Sequence, residues 1–229
     1  MEQSTPHEAV DADRIWVHRC EAPVSVLGPG KRAVIWVQGC SVGCRGCIIP
    51  ESWRRSDGEA VSTEDLVRWV FRQQDIEGVT LSGGEPMEQP VPLARLADAL
   101  GGHGLGIVCY SGYTLEHLLQ RGSKAQRDLL TRIDLLIDGP YVEGLHAPLL
   151  WRASSNQRLI PLSDRYVSYL PPINGQEDVP AGLELFVEAN GGFSFAGVPP
   201  SPGFRDEFRA RLLGHGVRVG MEREFKAGI

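Results

Sequence analysis

Residues 33–47 read Ala-Val-Ile-Trp-Val-Gln-Gly-Cys-Ser-Val-Gly-Cys-Arg-Gly-Cys, an apolar run followed by three cysteines spaced C-x3-C-x2-C. The apolar run at 33–37 is typical of a buried strand, so the cysteines lie on the loop that leaves this strand. Gly39, Gly43 and Gly46 favour a loop that folds back on itself, because glycine adopts positive φ angles at little cost. A loop of this kind can direct three thiolates at one point.

Three thiolates suit an iron–sulfur cluster, whose irons are bound by cysteine sulfur. A complete cubane takes four ligands, so a loop that supplies three leaves one iron open to bind substrate, by analogy with catalytic zinc sites. We therefore predict that Cys40, Cys44 and Cys47 bind a [4Fe-4S] cluster, and that Cys20 and Cys109 do not. Structural zinc is a weaker alternative because the chain has no second C-x2-C or paired histidines. A disulfide framework is disfavoured, since three of the five cysteines are crowded together.

The cysteine loop resembles the cluster loop of radical S-adenosylmethionine (SAM) enzymes, in which SAM chelates the open iron through its amino and carboxylate groups. The residue before the last cysteine is often aromatic in that superfamily but is Gly46 here. Together with the segment 50–53, the loop is more similar to one branch, the activating component of anaerobic ribonucleotide reductase. The resemblance covers residues 33–165. It implies a reduced cluster that splits SAM into methionine and a 5'-deoxyadenosyl radical, which abstracts hydrogen from a substrate.

Beyond the loop, strand-like apolar runs alternate with segments of helical spacing. The strand-like runs are 79–81, 105–110 and 133–137, and the longest helical segments are 62–71 and 91–100. Short glycine-marked loops join them, which predicts a parallel α/β sheet. Too few strand–helix units are present for a closed eight-stranded barrel. An open, partial barrel of the (β/α)6 type fits better, and the resemblance implies the same fold.

Polar or glycine-rich motifs follow four of the predicted strands, and ligands of parallel sheets bind at the carboxyl ends of strands. Gly83 and Gly84 can expose their backbone to a ligand, and Asp138 can accept hydrogen bonds from ribose hydroxyls. Each motif is also compatible with an ordinary turn. The resemblance implies that the Gly-Gly-Glu motif contacts the SAM amino group and that the other motifs line the SAM site. The predicted SAM-binding residues are Gly83, Gly84, Glu85, Ser111, Asp138 and Asn156.

One position departs from the family pattern. The family often has a lysine two residues after the aspartate, whereas this chain has Pro140 two residues after Asp138. A cation near the SAM carboxylate is therefore missing or comes from elsewhere. Arg152 and Arg158 are the candidates.

The chain of 229 residues, 42% of them hydrophobic, is long enough for one full core. Residues 1–13 are polar and acidic, and we expect a disordered tail rather than a signal peptide. Residues 14–170 form the predicted radical SAM core. Residues 183–229 show two alternating runs around an Asn-Gly-Gly turn signal at 190–192, then an amphipathic segment. We predict an appended C-terminal hairpin and helix that caps the open side of the barrel.

Composition limits the partners. A net charge of −6 argues against a nucleic-acid partner bound through phosphates. No apolar run reaches the length of a membrane span. Free cysteines without a secretion signal favour the reducing cytoplasm.

Three functions stay open at this point. The first is an activase that generates a glycyl radical on a large partner enzyme, and the resemblance favours it. The second is a stand-alone radical SAM enzyme that modifies a peptide or a small metabolite, which the unexplained C-terminal segment favours. The third is a non-catalytic iron–sulfur sensor, which leaves the strand-end motifs without purpose. The resemblance also implies an electron donor such as flavodoxin or ferredoxin.

Overall fold

The computed structural model describes residues 13–170, 178–187 and 193–217. Its strands are β1 Arg14–Val24, β2 Arg32–Val37, β3 Glu59–Ser62, β4 Gly78–Gly83, β5 Gly106–Ser111, β6 Leu135–Asp138, β7 His146–Leu149, β8 Arg152–Ser154, β9 Arg158–Pro161, β10 Leu183–Val187 and β11 Phe193–Gly197. Its α-helices are α1 Thr63–Arg72, α2 Pro90–Gly101, α3 Leu115–Arg121, α4 Lys124–Leu130 and α5 Phe204–Gly214. The expected tail, apart from Asp13, and the turn signal at 190–192 lie outside the described residues.

Seven strands form one open sheet in the order β3-β1-β2-β4-β5-β6-β9. The central strands β2, β4, β5 and β6 are parallel, which confirms the α/β class. The six-unit barrel is not confirmed, because β1 and β9 pair antiparallel with β2 and β6 and the described part of the sheet does not close. The reason lies in the connections. No α-helix separates β1 from β2 or β6 from β9, and a parallel neighbour needs a long crossover.

Polar side chains cap the first turns of two helices on the sheet. Ser62 caps α1 by accepting a hydrogen bond from the N–H of Asp65 at 3.1 Å. Thr114 caps α3 in the same way through the N–H of His117. These caps fix where each helix leaves the sheet, and therefore how its apolar face meets the core.

The two faces of the sheet have different coverings, because successive side chains of a strand point to opposite faces. One face packs against the helices through a core that includes Ile35, Leu81, Ile107 and Leu136. The other face carries Val34, Trp36, Val108 and Ile137. Hairpin β10–β11 covers part of this second face through Ala196 and Phe186. The candidate site lies on the second face.

A fully buried arginine connects the amino-terminal ends of the parallel strands, at the edge of the sheet opposite the cysteine loop. The guanidinium of Arg32, at the start of β2, donates five hydrogen bonds of 2.7–3.0 Å. The acceptors are the hydroxyls of Thr80 and Tyr166 and the carbonyls of Pro29, Val79 and Gly106. Burial lowers the pKa of Arg32, and the tyrosine opposes this shift. Arg32 is therefore a structural cation far from the cysteine loop.

Within the described ranges, no helix is both long and apolar enough to cross a membrane.

Candidate active site

A cavity of ≈1120 Å³ lies at the carboxyl ends of β2, β4 and β5. Seven of the nine predicted site residues line it, namely Cys40, Cys44, Cys47, Gly83, Gly84, Glu85 and Ser111. The other two, Asp138 and Asn156, are not among its lining residues. The fold thus brings the cysteine loop, the turn after β4 and the end of β5 to one place.

Backbone hydrogen bonds hold the start of the cysteine loop. The N–H of Gly39 donates to the carbonyl of Ser52 at 2.7 Å, and the N–H of Cys40 donates to the carbonyl of Trp53 at 3.0 Å. All three glycines of the loop have positive φ angles, of 107°, 59° and 75°. The prediction that glycines allow this loop to fold back is confirmed.

The thiols lie in a setting that suits a cluster. Burial raises the pKa of the Cys40 thiol, and the N–H groups of Gly43 and Val42 oppose the shift. Burial also raises the pKa of Cys44, opposed by the N–H of Tyr141. Hydrogen bonds to sulfur are one of the means by which proteins tune iron–sulfur clusters.

The residue types of the loop fit an iron–sulfur cluster. Within the described ranges, no group of three His, Cys, Asp or Glu side chains could hold one metal ion. In a cluster each thiolate binds a different iron, so the sulfurs need not meet at one point. Three partly buried thiols on one glycine-rich loop are a donor set of this kind.

The turn after β4 packs directly against the cysteine loop. The N–H of Gly84 donates to the carbonyl of Val37, and the N–H of Glu85 donates to the carbonyl of Gly39, both at 2.8 Å. A Cβ at Gly84 would lie 2.2 Å from the Gly39 oxygen. Only glycine allows this approach of two backbones.

We expect Gly84→Ala to lower the free energy of unfolding by roughly 1–3 kcal/mol, as overpacking does. It should also lower the iron content, because the displaced Gly39 precedes Cys40. Thermal unfolding and iron analysis of the anaerobically reconstituted protein measure the two effects. Gly101→Ala is the matched control, since a Cβ there meets no atom within 4 Å. Equal melting temperatures and iron contents for the two variants would contradict the contact.

Glu85 is buried beside the end of β5. Its Oε1 accepts hydrogen bonds from the N–H of Met87 and the hydroxyl of Ser111, both at 2.9 Å, and its Oε2 accepts one from the N–H of Gly112 at 2.7 Å. Burial raises the pKa of Glu85 to about 7, and these donors oppose the shift. A carboxylate has about four acceptor sites, and these three donors leave about one of them unused.

The carboxylate of Asp138 points away from the cavity. It accepts hydrogen bonds from the N–H of Leu115 at 2.7 Å and from Nε of Arg158 at 2.9 Å. Along β6, Leu135 and Ile137 face the second side of the sheet, so Asp138 faces the helices. The geometry gives the predicted ribose contact no support; Asp138 instead lies at the start of α3.

Neither candidate replacement for the missing lysine lies at the cavity. Arg158 is bound to Asp138 and to Glu116, and Arg152 is paired with Asp178. The arginines that line the cavity are Arg19, Arg205 and Arg209. Among the described residues, these three are the arginines close enough to the cavity to approach a bound carboxylate.

Asn156 supports the turn after β6 by a hydrogen bond and is not among the residues that line the cavity. Its Nδ2 donates to the carbonyl of Pro140 at 2.8 Å, while its buried Oδ1 has no hydrogen-bond partner in the described structure. The next residue, Gln157, lines the cavity and donates to the carbonyl of Gly139 at 3.2 Å. Of these two neighbouring residues, Gln157 contacts the cavity and the predicted Asn156 does not.

Two polar groups on the cavity wall are not among the predicted site residues. The hydroxyl of Tyr110 and Nε2 of His146 are buried and have no hydrogen-bond partner among the described residues. Period two along β5 could have identified Tyr110, because its neighbour Cys109 is buried in the core at 0% exposure. His146 lies in a short hairpin that carries no comparable signal.

Comparison with known proteins gives consistent matches. A family described as "4Fe-4S single cluster domain" matches residues 26–160. The chain is 34% identical over 145 residues to the anaerobic ribonucleoside-triphosphate reductase-activating proteins of Salmonella typhi and of Escherichia coli K12, covering 59% of this chain and 92% of each relative. The protein of the same name from Enterobacteria phage T4 is 31% identical over 140 residues, or 58% of this chain and 86% of the relative. Strands β10 and β11 and helix α5 lie beyond the family match.

Proposed function

Because this chain belongs to the family of the anaerobic ribonucleoside-triphosphate reductase-activating proteins, we propose that it is a radical SAM activating enzyme. The three cysteines of the loop hold a [4Fe-4S] cluster, and SAM binds beside Gly83, Gly84, Glu85 and Ser111. One observation carries the proposal: a single cavity is lined by the three thiols, the turn after β4 and the end of β5.

When bound, the cluster and SAM supply an electron and a 5'-deoxyadenosyl radical that takes a hydrogen atom from the substrate, while the protein provides position and environment. Glu85 offers its remaining acceptor site to the SAM ammonium group. The hydroxyl of Ser111 fixes the orientation of that carboxylate through its 2.9 Å hydrogen bond. The buried side chain of Trp36 and the half-buried ring of Tyr110 line the cavity and take up space that water would otherwise occupy.

The names of the relatives suggest the partner. We propose that the substrate is a glycyl-radical enzyme of the ribonucleotide reductase type, and that a flavodoxin or ferredoxin supplies the electron. The test is anaerobic incubation of the reconstituted protein with reductant, SAM and a candidate reductase. A glycyl-radical signal in electron paramagnetic resonance, absent without SAM, would support this partner.

A second candidate function is a stand-alone radical SAM enzyme acting on a peptide or a small molecule. The observation that favours it is the cavity wall built by β11 and α5, which the family match does not include. Formation of 5'-deoxyadenosine from SAM supports either enzyme. If the protein with an intact cluster and reductant forms none, the non-catalytic sensor is favoured.

The placement of Asp138 gives a prediction that separates stability from cofactor binding. Asp138→Ala should lower the free energy of unfolding by roughly 1–3 kcal/mol, because it leaves the N–H of Leu115 without an acceptor and Arg158 with one partner fewer. The dissociation constant for SAM should not change. Urea unfolding and equilibrium SAM binding measure the two. A SAM affinity about tenfold weaker at unchanged stability would restore the ribose contact.

A further inference from the structure

The hairpin outside the family match is joined to the core by specific contacts. Nη2 of Arg19 donates to the carbonyl of Phe195 at 3.2 Å. The N–H of Ser25 donates to the carboxylate of Glu184 at 3.1 Å. Ala196 is buried in the core cluster of the second sheet face. The hairpin therefore has a defined position over the sheet.

Helix α5 is joined to the cysteine loop itself. Nη1 of Arg205 donates to the carbonyl of Ile48 at 3.3 Å, and Nη2 of the same guanidinium pairs with Glu51. Ile48 directly follows the third cysteine, Cys47. The first turn of α5 is thus held against the segment that carries the predicted cluster.

Three phenylalanines of this unit form one side of the cavity, which we call the aromatic wall: Phe195, Phe204 and Phe208. The rings of Phe204 and Phe208 are stacked with centroids 5.4 Å apart. The ring of Phe195 meets both edge-on, at 5.9 and 6.4 Å. All three are only partly buried, so ring surface is left to face the cavity.

The cavity is larger than a pocket for a single ligand. Its volume of ≈1120 Å³ exceeds the roughly 300–1,000 Å³ typical of a pocket for one drug-sized ligand. The family match covers the cysteine loop and the turn after β4 but not the aromatic wall. The aromatic wall therefore belongs to the same cavity as the proposed cofactor site but lies outside the part of the chain that the family has in common.

We propose that the aromatic wall binds the substrate, and that the substrate carries an aromatic ring. This inference rests on the proposed radical SAM function. Aromatic rings attract one another in stacked and edge-to-face geometries, and a ring pair adds about two- to tenfold in affinity beyond the area it buries. An aromatic ligand can pack on the ring surface that the three phenylalanines leave uncovered, and an aliphatic group there lacks the additional ring–ring attraction.

The test uses the full chain with its cluster reconstituted and SAM bound. The probes are N-acetylphenylalaninamide, the tripeptide Gly-Phe-Gly and, as the aliphatic match, N-acetylleucinamide, with dissociation constants from saturation-transfer NMR. We expect both aromatic probes to bind more tightly than the leucine probe, by about two- to tenfold per ring contact. If N-acetylphenylalaninamide binds more tightly than Gly-Phe-Gly, the aromatic substrate is a free small molecule. If Gly-Phe-Gly binds more tightly, the aromatic ring belongs to a peptide substrate.

Variants of the aromatic wall test whether the aromatic probes bind there. Phe204→Leu and Phe208→Leu should each weaken the aromatic probes by about two- to tenfold, because they keep an apolar side chain but remove the ring. Leu213→Ala is the control, on the same helix but 53% exposed and away from the cavity. Equal binding of the leucine probe, or unchanged binding in both Phe variants, would overturn the proposal.

Adenine is also an aromatic ring, so the affinity for SAM is measured in the same variants. A loss of SAM affinity equal to the loss for the probes would also overturn the proposal. SAM cleavage without any probe reports on the proposed function separately. Cleavage by the wild-type protein together with unselective probe binding would reject the aromatic substrate alone.

Discussion

Cys44→Ala protein should hold no [4Fe-4S] cluster after anaerobic reconstitution and should form no 5'-deoxyadenosine from SAM. The wild-type protein should hold about four irons per chain. The loop supplies only three thiolates, and Cys44 is one of those that line the cavity. Two thiolates cannot hold the cubane, so the loss is close to complete. Iron and sulfide analysis with the visible absorption spectrum measures it, and Cys40→Ala and Cys47→Ala should behave alike.

Two other cysteines provide matched controls. Cys109 is fully buried on the helix side of β5, and Cys109→Ala should keep the cluster. Cys20 is the sharper control, because it also lines the cavity. If Cys20→Ala lost the cluster, the chain would supply a fourth ligand and no iron would be open to SAM. Loss of iron from Cys109→Ala with retention in Cys44→Ala would reject the assignment altogether.

Arg32→Met should destabilise the protein by about 3–5 kcal/mol, the effect of breaking a buried charged network. The variant keeps an apolar side chain of comparable length but removes all five hydrogen bonds of the guanidinium. Buried hydroxyls and carbonyls of two strands, one turn and the segment Asp164–Tyr169 lose this donor, and each such loss is costly. Urea unfolding of the reconstituted protein gives the change in free energy.

The control for Arg32 is Arg95→Met. The Arg95 side chain is 54% exposed and makes one ion pair, at 3.6 Å, with Asp13. Such surface pairs contribute about 0–1 kcal/mol. Similar unfolding midpoints for the two variants would mean that the Arg32 network contributes nothing. The iron content per folded chain should not change, because Arg32 lies at the opposite end of β2 from the cysteine loop.

Local features of the site could be predicted from the sequence, because they depend on neighbouring residues. The spacing of Cys40, Cys44 and Cys47 and the glycines between them determine a reversing loop, and the structure has one. The glycine pair lies at the end of its strand, as the pattern predicts: Gly83 is the last residue of β4 and Gly84 begins the turn. The helix caps at Ser62 and Thr114 are equally local.

Features that depend on distant residues could not be predicted. Arg32 in an apolar run gives no sign of its hydroxyl partner Tyr166, 134 residues away. Asp138 follows a strand as a ribose-binding residue does, but the four residues of β6 are too few to show which face it takes. The cavity wall at Phe204 and Phe208 depends on how α5 is placed over the sheet, and no periodicity within α5 encodes that.

The contact between the turn after β4 and the cysteine loop links cofactor retention to folding. Gly84 and Glu85 donate to the carbonyls of Val37 and Gly39, so the loop and the central sheet share hydrogen bonds. A group that binds only the native state stabilises that state by mass action, and metal binding of this kind contributes directly to folding free energy. Oxygen damage to the cluster should therefore appear as a lower melting temperature. A batch purified in air that melts early has lost iron, and its chain needs reconstitution rather than refolding.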